Sequence, residues 1–226
     1  MSIRPLRALA LLCCATIAGC GDGSGLLGIA GSVGAATVRF VNASASPLDL
    51  AVNGTVPGAN ANIAPGASVG CFAVADPTVP GLTVRQAGTT TDLGGFTPQF
   101  SSGGRHTVIA YPGPSGLIQF AGILTTVTPI TGRSALRVFN GSSGLGSVDV
   151  YVTAPGGTLG TLKATGLGFG SATVSFDVSA GTSHVRLTNN GTTSVVFDAG
   201  NQVLETGKSY ILIVSSATSA FLAADC

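Results

Sequence analysis

The chain has 226 residues, 45% of them apolar and only 8% charged, with 34 glycines, 11 prolines and no tryptophan. Ten basic residues against nine acidic ones leave it near neutrality, which excludes a nucleic-acid surface, since that needs a basic patch able to displace counterions, and a polybasic membrane-binding stretch. The apolar content excludes wholesale disorder, which requires apolar residues to be scarce.

The first element in chain order is a signal peptide over residues 1–19. Arg4 and Arg7 precede an apolar run over 8–18. A short basic start and a short apolar stretch describe an export signal rather than a bilayer span. The run closes on Ile17-Ala18-Gly19-Cys20, which resembles the lipobox of bacterial lipoproteins. That resemblance implies cleavage before Cys20, acylation of the Cys20 sulfur and a mature protein anchored to a membrane of the bacterial cell envelope. The expected site is the outer membrane or cell surface, facing periplasm or exterior. A plain secretory signal cut elsewhere is the alternative, and it would leave Cys20 free or remove it. One acyl chain binds a membrane only weakly, so lasting attachment needs the several chains that such lipoproteins carry.

Residues 20–36 read as the lipidated cysteine and a flexible Gly-rich tether, with a mean span of roughly 20–25 Å. Gly23, Gly25 and Gly28 match G-x-G-x-x-G. That pattern cradles a pyrophosphate only between a strand and a helix, and neither is expected here, so no cofactor is.

Beyond the tether the chain repeats itself. Val38-Arg39-Phe40-Val41-Asn42-Ala43-Ser44 is matched by Leu136-Arg137-Val138-Phe139-Asn140-Gly141-Ser142, and Leu48-Asp49-Leu50-Ala51-Val52 by Val148-Asp149-Val150-Tyr151-Val152. Val84-Arg85 is matched by Val185-Arg186, and Gly104-Arg105-His106 by Gly207-Lys208-Ser209. Four matches in one order define two homologous domains, 37–124 and 135–226, joined by a linker over 125–134. So short a linker predicts contact between the copies, with modest hinge freedom.

Apolar and polar residues alternate with period two, as at Val148, Val150 and Val152 around Asp149 and Tyr151. That is the pattern of half-buried strands. Asn53-Gly54 and Asn190-Gly191 carry the positive-φ preference of tight hairpins. No stretch has a capped helical period. The predicted fold is all-β: two tandem immunoglobulin-like antiparallel β-sandwich domains, about seven strands in each.

The paired strands also resemble a known family. Leu136 to Ser142, Val148-Asp149-Val150-Tyr151-Val152, Ser179-Ala180-Gly181-Thr182 and Gly207-Lys208-Ser209-Tyr210 are similar to the bacterial extracellular repeats filed as domain of unknown function 4397. The likeness spans nearly all of 37–226 in two copies and is weaker in the first, where Ala51 replaces the tyrosine. The family often has histidine where this chain has Asn42 and Asn140. The resemblance implies a secreted or surface β-sandwich and no particular activity.

Five cysteines are present. Cys13 and Cys14 lie in the signal and Cys20 is the lipidation site. Cys71 and Cys226 remain, one per copy. Two readings stand open: a disulfide, favoured in an oxidising compartment, or two separate buried thiols.

Catalytic constellations are missing. His106 and His184 occupy non-equivalent positions, read as solvent-facing imidazoles at strand edges. There is no nucleophile elbow, and neither CxxC nor HExxH is present, so no metal is expected. Asp49 and Asp149 recur between inward apolar residues and are read as strand-surface carboxylates, bonded to a loop or paired with Arg39 or Arg137. A ligand or calcium role is the sharper alternative. Asn42, Asn53, Asn140 and Asn190 begin N-x-[ST] triplets, read as turn chemistry.

The expected function is a non-enzymatic, lipid-anchored envelope protein, a binding or spacer module for a protein or glycan. The candidate binding loops are 42–47 and 140–147, with Asn42, Ser44, Asp49, Asn140, Ser142 and Asp149 as the residues of interest. The alternatives are a purely structural lipoprotein without a specific ligand, or a glycan-active hydrolase.

Overall fold

Two halves, each a pair of stacked β-sheets, follow from the alternating patterns. The structure is a computed structural model describing residues 35–74, 81–96 and 100–226, with backbone alone at 95 and 96. The signal peptide, Cys20 and nearly all of the expected tether lie outside those residues.

In the first half the strands are β1 (Ala36–Asn42), β2 (Leu48–Val52), β3 (Ser68–Val74), β4 (Leu82–Gln86), β5 (Asp92–Phe96), β6 (Arg105–Pro112) and β7 (Ile118–Thr125). They form one sheet in the order β3-β1-β6-β7 and a second in the order β2-β4-β5. Phe40, Leu48, Leu50, Val84 and Val108 fill the space between them. Asn53 and Gly54, at φ 51° and 80°, form the tight turn expected after β2.

The second half has β8 (Arg133–Asn140), β9 (Val148–Thr153), β10 (Thr161–Leu167), β11 (Ser171–Ala172), β12 (Phe176–Ser179), β13 (Gly181–Asn189), β14 (Val195–Leu204), β15 (Ser209–Ser216) and β16 (Ser219–Ala224). One sheet runs β10-β9-β13-β14 and the other β11-β8-β15-β16, with β12 also on β8. Leu136, Val150, Leu187, Phe197 and Leu212 make its core. The connection between the halves is 126–132, slightly shorter than the linker expected over 125–134. Among the described residues no helix is long and apolar enough to cross a membrane.

The strand pairing departs from the expectation of purely antiparallel sheets, and the second half has nine strands where about seven were expected. Each half contains one parallel pair: β1 lies parallel to β6, and β8 parallel to β15. Parallel pairing is typical of sheets covered on both faces, and these are the two sheets so covered. In β6, Val108 and Ala110 face the core of their own half, while Ile109 and Tyr111 face the other half. In β15, Tyr210, Leu212 and Val214 face inward, while Ile211 and Ile213 face across. Val41 and Ile123 join Phe139, Ile211 and Ile213 in this third, shared core.

The hinge freedom expected of the linker is therefore not found. The described residues form one compact unit, four sheets deep, because the outer face of each inner sheet is apolar. Gly170 marks how closely the halves approach. It adopts φ +70°, and a Cβ there would stand 2.7 Å from the Tyr111 hydroxyl oxygen. Burial pushes the Tyr111 phenol above its usual range.

The halves are also joined covalently. Cys71 in β3 and the terminal Cys226 form a disulfide with Cα atoms 5.7 Å apart, so the disulfide is the alternative that holds.

Candidate functional site

The six residues singled out by repetition are buried. Exposures are 0% for Asn42, 6% for Ser44, 7% for Asp49, 0% for Asn140, 4% for Ser142 and 3% for Asp149. Asn42 Nδ2 donates to the carbonyls of Ser46 (2.9 Å) and Ile63 (2.8 Å). Its Oδ1 accepts the Ser44 N–H (2.9 Å) and hydroxyl (2.7 Å). Asn140 repeats this, donating to the carbonyls of Gly146 (3.0 Å) and Leu167 (3.4 Å) and accepting the Ser142 N–H at 3.2 Å. Both are Asx turns, as the turn-chemistry reading required.

The two aspartates act alike. Asp49 accepts the N–H groups of Asn62 (2.6 Å) and Gly88 (2.9 Å). Asp149 accepts those of Gly166 and Gly191, both at 2.8 Å. Each carboxylate clamps two loops over the end of its sandwich. Of the two expected arrangements the bond to a loop holds, while the surface position and the pairing with Arg39 or Arg137 are corrected. Arg39 instead donates to Ser68 Oγ and Cys71 Sγ, and Arg137 to the Leu124 carbonyl. A calcium role also falls, because N–H donors already occupy both oxygens of each carboxylate. The duplicated residues are thus built into the scaffold through these hydrogen bonds.

A stability prediction tests this. Asp149→Ala should cost about 2–4 kcal/mol, the loss of two hydrogen bonds to a charged acceptor. Asp149→Asn, which keeps one acceptor oxygen, should cost about half of that. Urea unfolding measures both, and an alanine loss under about 1 kcal/mol would return Asp149 to the surface role.

The histidines are also not as expected. His106 is 6% exposed, packed under Phe100 with ring centroids 4.8 Å apart, and its Nε2 accepts the Ser101 N–H at 3.1 Å. Burial lowers its pKa against the opposing effect of the Ser101 contact, so it is a neutral internal group. His184 sits within β13, its Nε2 2.5 Å from Asp198 Oδ1. Arg186 reaches Asp198 at 3.4 Å and donates to the carbonyls of Gly157 and Thr158. Burial alone would raise the Asp198 carboxyl; the hydrogen bonds from His184, Gly200 and Arg186 and the His184 charge outweigh it and hold it low. Among the described residues this cluster is closed on itself, and no nucleophile shares its hydrogen bonds. Among the described residues no group of three or more His, Cys, Asp or Glu is placed to hold a metal ion.

Apart from Ser44, the groove-forming residues come from elsewhere. The exposed tip of the 42–47 loop stands between two clefts of about 400 and 350 Å³ that share Ser44, Ala45 and Pro112. On one side Pro65, Ser215, Ser219 and Phe221 complete the lining, so this cleft crosses the seam between the halves. On the other side Gln86, Leu93, Leu117 and Ile118 complete it, and Leu117 is 69% exposed. Among the described residues neither lining holds a charged or histidine side chain. What such a groove offers is contact through apolar surface and serine hydroxyls, without proton transfer. The loop was legible in sequence; its partners in β16 were not, because the seam exists only after the halves pack.

No family model matches the chain, and no curated protein matches it.

Proposed function

We propose that this is a non-enzymatic, lipid-anchored protein of the bacterial cell envelope, a rigid spacer that presents a contact surface to a protein or glycan. The observation that carries the reading is the fusion of two sandwiches into one body, with an uncharged groove at the loop end of their seam. A body with a shared core keeps the parts of its surface in one fixed arrangement, which two hinged domains would not. The Cys71–Cys226 bond supports export, since such bonds persist in oxidising compartments. The Ile17-Ala18-Gly19-Cys20 sequence supports the anchor, and the likeness of both halves to extracellular repeats of unknown function supports the location.

Labelled palmitate tests the anchor directly. The label should enter the wild-type protein and pellet with membranes, and Cys20→Ala should lose both label and sedimentation while its folded body remains. A wild-type protein that takes up no label would end the proposal of a lipid anchor.

A further inference from the structure

The second half holds a polar cleft of about 350 Å³, separate from the seam groove. Arg133 at the start of β8, Lys163 in β10 and Asp177 in β12 line it, with Thr153, Thr182 and Ser183. It opens where β10, the outermost strand of one sheet, faces β12, which pairs only with β8 in the other.

Three observations single it out. First, its charges are free: among the described residues the side chains of Arg133, Lys163 and Asp177 make no hydrogen bond or ion pair. The other described arginines, Arg39, Arg85, Arg105, Arg137 and Arg186, all donate to protein partners. Second, Lys163 is a bulge. Leu162 pairs with Tyr151 and Ala164 with Val150, which leaves Lys163 out of register, and bulges re-aim side chains at sheet edges. Third, the cleft is not part of the duplicated scaffold. The copy alignment places Ala35 where Arg133 stands.

We propose that this cleft binds an anionic sugar, a unit of monosaccharide size carrying a carboxylate or a phosphate. The guanidinium of Arg133 suits a two-oxygen anion, and Lys163 adds a point charge beside it. Asp177 would repel a bare anion but accepts hydroxyls, which a sugar supplies. The volume is at the small end of ligand pockets, enough for one such unit and not for an extended chain.

Calorimetric titration of the full-length protein decides the matter. The probes are glucuronate, glucose 6-phosphate, glucose and inorganic phosphate. At least one of the two anionic sugars should bind more tightly than glucose and than inorganic phosphate, and the tighter of the two names the oxyanion. Arg133→Gln with Lys163→Gln should weaken that binding by at least about tenfold. Asp177→Asn should weaken it too, whereas a site that merely sums charge would tighten. Both variants should keep their thermal midpoint within about 2 °C, because unpartnered side chains that are exposed, as Arg133 and Asp177 are, or half-buried, as Lys163 is, contribute little to folding. The proposal is overturned if neither anionic sugar binds, if glucose or inorganic phosphate binds as well, if the double variant retains affinity, or if Asp177→Asn tightens binding. None of these readings depends on acylation of Cys20, so they stand or fall apart from the envelope anchor.

Discussion

Phe139→Ala is expected to lower the unfolding free energy by about 3–5 kcal/mol, the cost of emptying a fully buried phenylalanine site, within a single cooperative transition. Phe139 is 0% exposed, yet it belongs to the shared core and not to the core of its own half. Its ring meets Tyr111 of the first half edge-on, centroids 5.1 Å apart at 75°. Tyr111 in turn meets Phe169 of the second half at 5.5 Å and 70°. Edge-to-face pairs of this kind add to the area they bury, and the alanine removes one outright. The cavity would be walled by both halves, so neither half can unfold without exposing it. Calorimetry should therefore show one transition whose calorimetric and van't Hoff enthalpies agree, shifted down in the variant. Two separable transitions in the wild type, or a loss under about 1 kcal/mol, would mean that the halves are independent domains in loose contact.

That shared core is also where sequence reasoning stopped short, and the reason is physical. Period-two alternation at Val148, Val150 and Val152 correctly marks strands with one face in a core. The run Tyr210-Ile211-Leu212-Ile213-Val214 does not alternate, and a continuous apolar run signals a strand buried on both faces. Val108-Ile109-Ala110-Tyr111 carries the same signal in the first copy. These runs could have been read as the inner layers of a four-sheet stack, with the parallel pairs that accompany two-sided cover. The aspartates illustrate a different limit. Alternation correctly turns Asp49 and Asp149 away from the neighbouring apolar side chains, but it cannot say what lies over that outer face. There the loops bearing Gly88 and Gly191 fold back and bury the carboxylates. Repetition then misled in a specific way: a polar residue kept in both copies marked what both scaffolds need. Charges that differ between the copies, such as Arg133 against Ala35, lie outside that duplicated framework.

Removing the disulfide is the second change expected to have a large effect. Cys71→Ser together with Cys226→Ser should cost about 3–4 kcal/mol and lower the melting temperature by roughly 10 °C for a body of this size. The bond closes a span of 155 residues, for which the chain-entropy account gives about 5 kcal/mol. The native side of the balance changes less, because other contacts hold the tail. The Asp225 N–H donates to the Ser209 carbonyl at 2.8 Å, Thr107 Oγ1 donates to Asp225 Oδ1 at 3.1 Å, and Arg105 donates to the Cys226 carbonyl at 3.2 Å. Most of the loss should thus come from a freer unfolded chain, leaving the folded geometry nearly intact. Thermal unfolding with and without reductant separates the cases. Reductant should shift the wild type by about the same amount as the double substitution, and should leave the double variant where it is. A wild type whose midpoint stays within about 2 °C in reductant would show that the contacts between the halves suffice without the bond. On the proposed export route the difference has a use. On that route the chain would meet the export machinery with its thiols reduced and its folded state weaker by that amount, and would gain the rest of its stability only where the bond can form.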